Sequence, residues 1–123
     1  MDASNHEVEY YRSGDGKAPY RDRFERIADE KIKLKLDARV ARMRGGNFGD
    51  SKPIGDGASE NRIDFGPGYR IYYGVDGKKV ILLGLGDKST QDEDIKRAKA
   101  CWRDYKSRKN PESKTASKKK AKP

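Results

Sequence analysis

Two short alternating runs, joined by glycine and proline, carry the residues of this sequence that are best suited to chemistry on a phosphate. The stretch NRIDFGPGYRIYYG spans residues 61–74, and its polar members include Arg62, Asp64, Arg70 and Tyr72. Each guanidinium can bind two phosphate oxygens, and a nucleobase can stack on a tyrosine ring or on a guanidinium plane. The pattern therefore predicts a hairpin with a phosphate-binding face.

The spacing also predicts how the two runs of the hairpin pair. If residues 66–68 form the loop, Asp64 lies opposite Arg70. Arg62 then lies opposite Tyr72 on the same open face. We interpret Asp64 and Arg70 as a cross-strand salt bridge, and Arg62 with Arg70 as a phosphate cradle. The apolar members of the runs are expected to pack beneath helices: Ile63, Phe65, Tyr69, Ile71 and Tyr73.

Apolar residues at helical spacing predict the helices that support this hairpin. Between Tyr20 and Arg44 the pattern indicates a short helix followed by a long one, with the charged run 29–31 between them. The long helix is expected to carry basic residues around its exposed sides: Lys31, Lys33, Lys35, Arg39, Arg42 and Arg44. A third helix is predicted after a cap at Ser89 or Thr90. Its buried stripe comprises Ile95, Ala98, Trp102 and Tyr105.

Four segments have the composition of strands: about 7–12, 60–65, 69–75 and 79–85. The last is apolar at nearly every position, so we expect a central strand that is buried on both sides. Residues 47–60 are expected to form a loop, with a short extended piece around 52–54. The resulting order, β-α-α-β-β-β-α, predicts an α+β domain whose antiparallel sheet is packed by helices on one face.

Composition and charge limit the classes of protein to which this sequence can belong. The chain has 123 residues, with 29 Lys and Arg against 20 Asp and Glu, and its net charge of +9 favours a polyanionic partner such as nucleic acid. It has no apolar run near the ~20 residues that span a bilayer, and its start lacks the pattern of a signal peptide. We therefore expect a cytoplasmic protein with no membrane partner, whose one cysteine, Cys101, is an inert thiol.

The distribution of apolar residues predicts the domain boundaries. Residues 107–123 contain no large apolar side chain and are rich in lysine, so we expect a disordered basic tail. Residues 1–6 are expected to be a flexible N-terminus. The folded domain is therefore predicted at residues 7–106.

Two long segments of the chain resemble a known family. The segments GNFGDSKPIGDGASENRIDFGPGYRIYYG and ILLGLGDKSTQDEDIKRAKACW are similar to the RelE/HigB-like toxins of type II toxin–antitoxin systems, within the RelE/ParE superfamily. The nearest branch is the addiction module killer protein group. The resemblance runs from about Tyr10 to Tyr105, which is nearly the whole predicted domain.

The resemblance implies a RelE-like fold and a ribosome-dependent endoribonuclease, an mRNA interferase that inhibits translation. It also implies a cognate antitoxin, typically a helix-turn-helix protein from the adjacent gene. Arg70 matches the arginine of the family's GYR strand, and Arg62 and Lys88 fall where relatives carry basic residues. Asp64 stands where the RelE type has a second lysine, and Asp94 is nearest to the tyrosine of its last helix. His6 is the one histidine and lies outside the predicted domain.

The cationic residues match the needs of RNA cleavage by its own 2′-hydroxyl. That reaction requires a base, cations around the phosphorane and an acid for the leaving oxygen. Arginine stays protonated, so Arg62 and Arg70 are predicted to stabilise charge. Lys88 is predicted to be the acid or a third cation. No Cys/His cluster suggests zinc, and this chemistry needs no metal or other cofactor.

The sequence leaves the general base open. It is a group on the ribosome or one of three side chains: Asp64, Glu60 and Tyr72. Three residues are expected to contact RNA beside the cations: Lys52, Tyr72 and Asp64. Of these, Lys52 is a lesser candidate for a phosphate contact.

Two other functions are compatible with the sequence. A toxin of the same fold can act on another target, such as DNA gyrase, although the set Arg62, Arg70 and Lys88 argues against it. A non-catalytic module that binds nucleic acid or an antitoxin is supported by the net charge and by the lack of a histidine in the domain. Mapping of mRNA cleavage after brief expression would separate the three.

Overall fold

The computed structural model describes residues 5–109, and it confirms the α+β class. In chain order the elements are β1 (Glu7–Tyr10), α1 (Pro19–Glu25), α2 (Glu30–Arg44), β2 (Ser51–Gly55), β3 (Ala58–Ile63), β4 (Tyr69–Asp76), β5 (Lys79–Gly86) and α3 (Gln91–Lys109), with a 3-10 turn at Lys88–Thr90. The predicted short and long helices and the three central strands are confirmed. The expected loop at 47–60 contains a complete additional strand, β2, because its short extended piece pairs with β3.

The sheet is mixed, so the prediction of a wholly antiparallel sheet is wrong. Its five strands lie in the order β1-β5-β4-β3-β2. The strands β2 to β5 form an antiparallel meander, whereas β1 lies parallel to β5. The chain leaves β1 at one edge of the sheet, passes through α1 and α2, and enters β2 at the opposite edge.

Helices cover both faces of the sheet, so the prediction that they pack on one face is also wrong. The larger apolar cluster lies under α1 and α2 and includes Leu36, Met43, Ile71 and Leu82. The second cluster lies under α3: Tyr11, Ala58, Tyr72, Ile81, Leu83, Ala98 and Trp102. The predicted burial of the last strand on both sides is confirmed, and it explains the arrangement. A strand that is apolar on both faces requires cover on both.

The hairpin of β3 and β4 has a longer loop than expected. Ile63 pairs with Tyr69 and Arg62 with Arg70, so the loop spans residues 64–68 and the predicted register is wrong by two residues. Because two is an even number, each paired residue keeps its predicted face. Asp64 falls outside the strand and is exposed. The predicted salt bridge between Asp64 and Arg70 is therefore wrong.

An irregularity in the pairing of β4 with β5 decides which side chains of β5 face α3. Tyr72 pairs with Gly84 and Tyr73 pairs with Leu82, so Leu83 is an extra residue in β5. Such a bulge changes the alternation of faces. Leu83 consequently packs under α3, whereas Leu85 packs under α1 and α2. Gly84 and Gly86 then face α3.

The predicted domain boundaries need correction at both ends. At the N-terminal end, the His6 N–H donates to the Arg44 carbonyl oxygen at 2.6 Å, and the His6 ring contacts Phe48 edge-on at 5.5 Å between centroids. At the C-terminal end, α3 continues to Lys109, so residues 107–109 belong to the helix and not to the tail. Residues 1–4 and 110–123, on which the remaining tail predictions fall, lie outside the described residues.

Candidate nucleic-acid interface

Three rows of paired residues cross the face of the sheet that α3 covers. The apolar row consists of Ala58, Gly74 and Ile81. The middle row consists of Lys52, Glu60, Tyr72 and Gly84. The end row consists of Arg62, Arg70 and Gly86. Along the strands, the rows therefore change from apolar residues at one end to two arginines at the other.

Two glycines let α3 approach the sheet closely. A Cβ added at Gly74 would lie 2.6 Å from ring atoms of Trp102. A Cβ added at Gly86 would overlap the Asp94 carboxylate. Trp102 thereby seals the apolar row, and the first turn of α3 lies directly over the end row at β5.

Arg62 and Arg70 lie directly opposite each other in the end row. Like charges in opposed positions destabilise a sheet, so a purely structural explanation is weak. Asp50 Oδ1 lies 3.5 Å from Arg62 Nη2, and no ion pair to Arg70 occurs among residues 5–109. Arg70 is only 7% exposed, and the Nε atoms of both arginines are buried without a hydrogen-bond partner there. The two guanidiniums are therefore only partly neutralised by the side chains that the structure describes.

Lys88 lies at the same end of the sheet as Arg62 and Arg70. It begins the 3-10 turn after β5, two residues beyond Gly86 in the end row. Its stem lies over the β3–β4 loop, because a Cβ added at Gly68 would lie 3.6 Å from Lys88 Cδ. Asp87 fixes the turn by accepting hydrogen bonds from the Ser89 N–H at 2.8 Å and the Ser89 hydroxyl at 2.6 Å. We call Arg62, Arg70 and Lys88 the cationic corner.

Arg39 on α2 holds the strand that carries Arg62. Its Nη1 donates to the Arg62 carbonyl oxygen at 2.8 Å and to Asn61 Oδ1 at 2.7 Å. Burial, followed by the charge of Arg42, lowers the pKa of Arg39. The expectation that Arg39 lies on an exposed side of the long helix is therefore wrong. Lys33 is also half-buried, with its Nζ 5.4 Å from the centroid of the Phe24 ring.

Tyr72 is completely buried, at 0% exposure, so the predicted exposed stacking surface is wrong. It belongs to the cluster under α3, and its hydroxyl is buried without a hydrogen-bond partner among the described residues. Burial, followed by the charge of Glu60, raises the pKa of Tyr72. The phenol consequently stays neutral, and it can donate a hydrogen bond but not act as a base near neutral pH.

Glu60 is a buried carboxylate in the middle row, at 2% exposure. Gln91, the first residue of α3, donates its amide N–H groups to Glu60 Oε1 at 3.0 Å and Oε2 at 3.2 Å. Lys52 lies opposite Glu60 on the edge strand and is exposed, and no ion pair joins the two. The alternation of β3 already placed Glu60 on the face of Arg62, but no sequence signal indicated Gln91.

The described residues give less support to a metal site, a reactive cysteine or a membrane-spanning helix. No group of three or more His, Cys, Asp and Glu side chains within residues 5–109 could hold a metal ion. Cys101 is half-buried, and burial raises the pKa of its thiol, which agrees with an inert cysteine. Of the helices that the structure describes, none combines the length and apolar character needed to cross a membrane.

The fold and the cationic corner define a small α+β protein with a candidate site for a polyanion. Comparison with known proteins shows that the chain belongs to one family with an uncharacterized protein of Haemophilus influenzae, to which it is 52% identical over 75 residues. The aligned part covers 60% of this chain and 76% of that protein. No model of a known protein family and no solved structure matches the chain.

Proposed function

We propose that this protein is the toxin of a type II toxin–antitoxin system and acts as a ribosome-dependent mRNA endoribonuclease. The observation that carries the proposal is the direct opposition of Arg62 and Arg70 in a half-covered row, with Lys88 beside them. The similarity of the surrounding segments to RelE/HigB-like toxins supports the same assignment. The fold would then be RelE-like, with α3 as the helix that borders the active site.

The cationic corner supplies the charge that RNA cleavage needs. Two guanidiniums held opposite each other in the sheet can stabilise the phosphorane of a scissile phosphate by their charge. Lys88 is exposed at the same end of the sheet, and it is the side chain proposed to protonate the leaving oxygen. The buried phenol of Tyr72 is excluded as the base by its raised pKa. Two of the three candidate bases in the chain remain, both carboxylates: Glu60 and Asp64.

The cognate antitoxin is proposed to be an acidic or mixed-charge protein, of helix-turn-helix type, encoded by the adjacent gene. A net charge of +9 makes its approach fast and sensitive to salt. It would cover the cationic corner or dock on α2, whose exposed cations are Lys31, Lys35, Arg42 and Arg44. Co-expression with the neighbouring reading frame, followed by pulldown and salt titration, tests this partner.

Primer extension on cellular mRNA after brief expression tests the activity. Cuts at a fixed position relative to codons would support a ribosome-dependent interferase acting in the cytoplasm. Supercoiling defects without cuts would instead indicate a gyrase-directed toxin. The matched variant is Arg70→Ala, which should remove the cuts at equal expression.

A non-catalytic nucleic-acid-binding module is the second candidate. The cover of Tyr72 and Glu60 by α3 favours it, since a binding surface needs only the exposed cations. In that case the protein would bind RNA with a steep salt dependence and leave it intact. The same primer-extension experiment separates the two functions.

A further inference from the structure

We propose that Glu60 is the general base of the RNA cleavage and that the Gln91 amide covers it until substrate binds. The inference rests on the proposed function and names the one group that the sequence left open. Four residues of the described chain carry it: Glu60, Gln91, Tyr72 and Arg70.

The environment of Glu60 is unusual for a structural carboxylate. Buried carboxylates are normally paired with a cation, because an isolated charge is strongly disfavoured away from water. Glu60 has no ion pair within residues 5–109, and the amide of Gln91 donates to both of its oxygens. Arg70 lies one row away on the same face, yet it does not pair with Glu60. Glu60 and Arg70 therefore lie on one face without pairing with each other. Such an arrangement is typical of a site where both side chains contact a ligand.

Two unpartnered donors lie on the same face of the sheet as this carboxylate. The Tyr72 hydroxyl, in the position directly opposite Glu60, and the Arg70 Nε are both buried without a hydrogen-bond partner in the part of the chain described. Buried polar groups in folded proteins are almost always satisfied. Donors and a carboxylate on one face suit a ligand that offers both oxygens and a hydroxyl. A ribose 2′-hydroxyl next to a 3′-phosphate is such a ligand.

The other candidate bases in the chain are less suitable. Asp64 is exposed in the loop 64–68, outside the three rows. Tyr72 stays protonated, because burial and the charge of Glu60 raise its pKa. Glu60 lies on the same face as the cationic corner and one row from it. The geometry therefore selects Glu60.

The proposed step balances in protons and bonds. The ribose 2′-hydroxyl replaces the Gln91 amide at Glu60 and gives its proton to the carboxylate. The 2′-oxygen then bonds to phosphorus while the bond from phosphorus to the 5′-oxygen breaks. Lys88 gives a proton to that leaving oxygen, so the products are a 2′,3′-cyclic phosphate and a free 5′-hydroxyl. Arg62 and Arg70 hold the charge of the intermediate.

Gln91 is suited to act as a cover that moves. It is half-buried at the first position of α3, so its side chain can rotate without unwinding the helix. Its amide satisfies Glu60 in the free protein, which limits the penalty of burying the carboxylate. In the proposed step this side chain rotates away only where a ligand compensates for the lost hydrogen bonds.

The first test is the variant Glu60→Gln, assayed for codon-linked cleavage on translating ribosomes. A general base contributes about 10²–10⁴-fold, so kcat should fall by that factor while KM changes little. Glu60→Ala should fall likewise and regain activity with added formate, which a structural role would not produce. The matched control is Glu93→Gln, an exposed carboxylate at the start of α3 that pairs with Lys96. It should cleave like the wild type.

A second substrate separates the base from the acid. RNA with sulfur in place of the leaving 5′-oxygen needs no acid, because a thiolate leaves without a proton. Lys88→Ala should therefore cleave this substrate at nearly the wild-type rate. Glu60→Gln should remain slow on it. Equal recovery of both variants would overturn the assignment of Glu60 as the base.

A third test needs no variant and therefore survives a failure of Glu60→Gln to fold. The side-chain amide signals of Gln91 are followed by NMR as adenosine 3′-monophosphate is added, with the Arg70 Nε–H signal as the marker of phosphate binding. The ribonucleotide should shift the Gln91 signals and the 2′-deoxy form should not. Equal Gln91 shifts with both, or none while Arg70 responds, would overturn the inference.

The two levels of proposal fail in different ways. If the wild type cuts mRNA and a folded Glu60→Gln protein cuts equally fast, Glu60 is not the base and the toxin assignment stands. If the wild type itself makes no cuts, the proposed function fails, and the inference about Glu60 falls with it.

Discussion

The two ends of α3 contact the same sheet through different chemistry. Towards its C-terminus, the Trp102 ring lies against Gly74, and the Arg103 Nη1 pairs with Asp56 Oδ2 at 2.6 Å. Further hydrogen bonds join this end to the strands and turns, among them Tyr11 to Asp104 at 2.7 Å, Tyr105 to Asp76 at 2.7 Å and Lys109 to Asp76 at 2.9 Å. This end of α3 is an anchor made of apolar packing and paired charges.

Towards its N-terminus, α3 covers polar groups that are not all satisfied. Gln91 bonds to Glu60, and Thr90 donates to Asp94 at 2.5 Å above Gly86. Tyr72 and Arg70 lie below with buried donors that lack partners among residues 5–109. Proteins place unsatisfied polar groups where function requires them and stabilise the fold elsewhere. The comparison assigns stability to the C-terminal end of α3, and it supports the proposal that the chemistry takes place at the N-terminal end.

The largest expected effect on stability is at the anchor. Trp102→Ala removes a ring that is 4% exposed and that seals the apolar row, so unfolding should become easier by about 3–5 kcal/mol. Urea denaturation measures this change. Tyr105→Phe, which keeps the ring and loses the bond to Asp76, is the matched control and should lose about 1 kcal/mol. A small effect of Trp102→Ala would contradict the anchor role.

Removal of a charge at the other end should change function and leave the fold. Arg70→Ala should lower the cleavage rate by about 10²–10³-fold, because one oriented charge at the transition state is lost. Growth assays at equal expression show the loss of toxicity, and circular dichroism checks the fold. Arg103→Ala removes the same charge at the anchor and should stay toxic. Full toxicity of Arg70→Ala would remove the cationic corner from the mechanism.

The same small substitution distinguishes the two ends of α3. Gly74→Ala places a methyl group against the rigid Trp102 ring, so it should cost about 1–3 kcal/mol of stability. Gly86→Ala places one against the Asp94 carboxylate, which can rotate away, so the loss should be smaller. Thermal melts of both variants give the comparison. An equal or larger loss at Gly86 would mean that the first turn of α3 is fixed as firmly as its end.

The smallest expected effect is a pH dependence at the anchor. Hydrogen bonds from Lys109 and Tyr105 hold the pKa of Asp76 below its usual value. A lowered pKa in the folded state stabilises the fold above the unfolded pKa of about 3.9, and this contribution disappears as pH falls through the folded pKa. Asp76→Asn should therefore lose less stability than the wild type between about pH 4 and pH 2. Identical acid melts of the two proteins would contradict this.

The sequence by itself determined the three helices, four of the five strands and the face on which the side chains of β3 and β4 lie. Alternation in β3 and β4 put Arg62 and Arg70 on one face, and the predicted register, although wrong by two residues, kept that result because the side-chain period of a strand is two. The predicted stripe of the third helix is confirmed at Ala98 and Trp102 for the same kind of reason. These features depend on neighbours along the chain.

Only the tertiary structure decided what covers each face. Periodicity gives the apolar side of an element but not the partner that packs on it, so nothing in the sequence indicated that α3 would bury Tyr72 and Glu60. The bond from Gln91 to Glu60 joins residues 31 positions apart and exists only because α3 returns across β3. The cationic residues could be predicted, whereas the buried carboxylate beside them is a product of packing between distant segments.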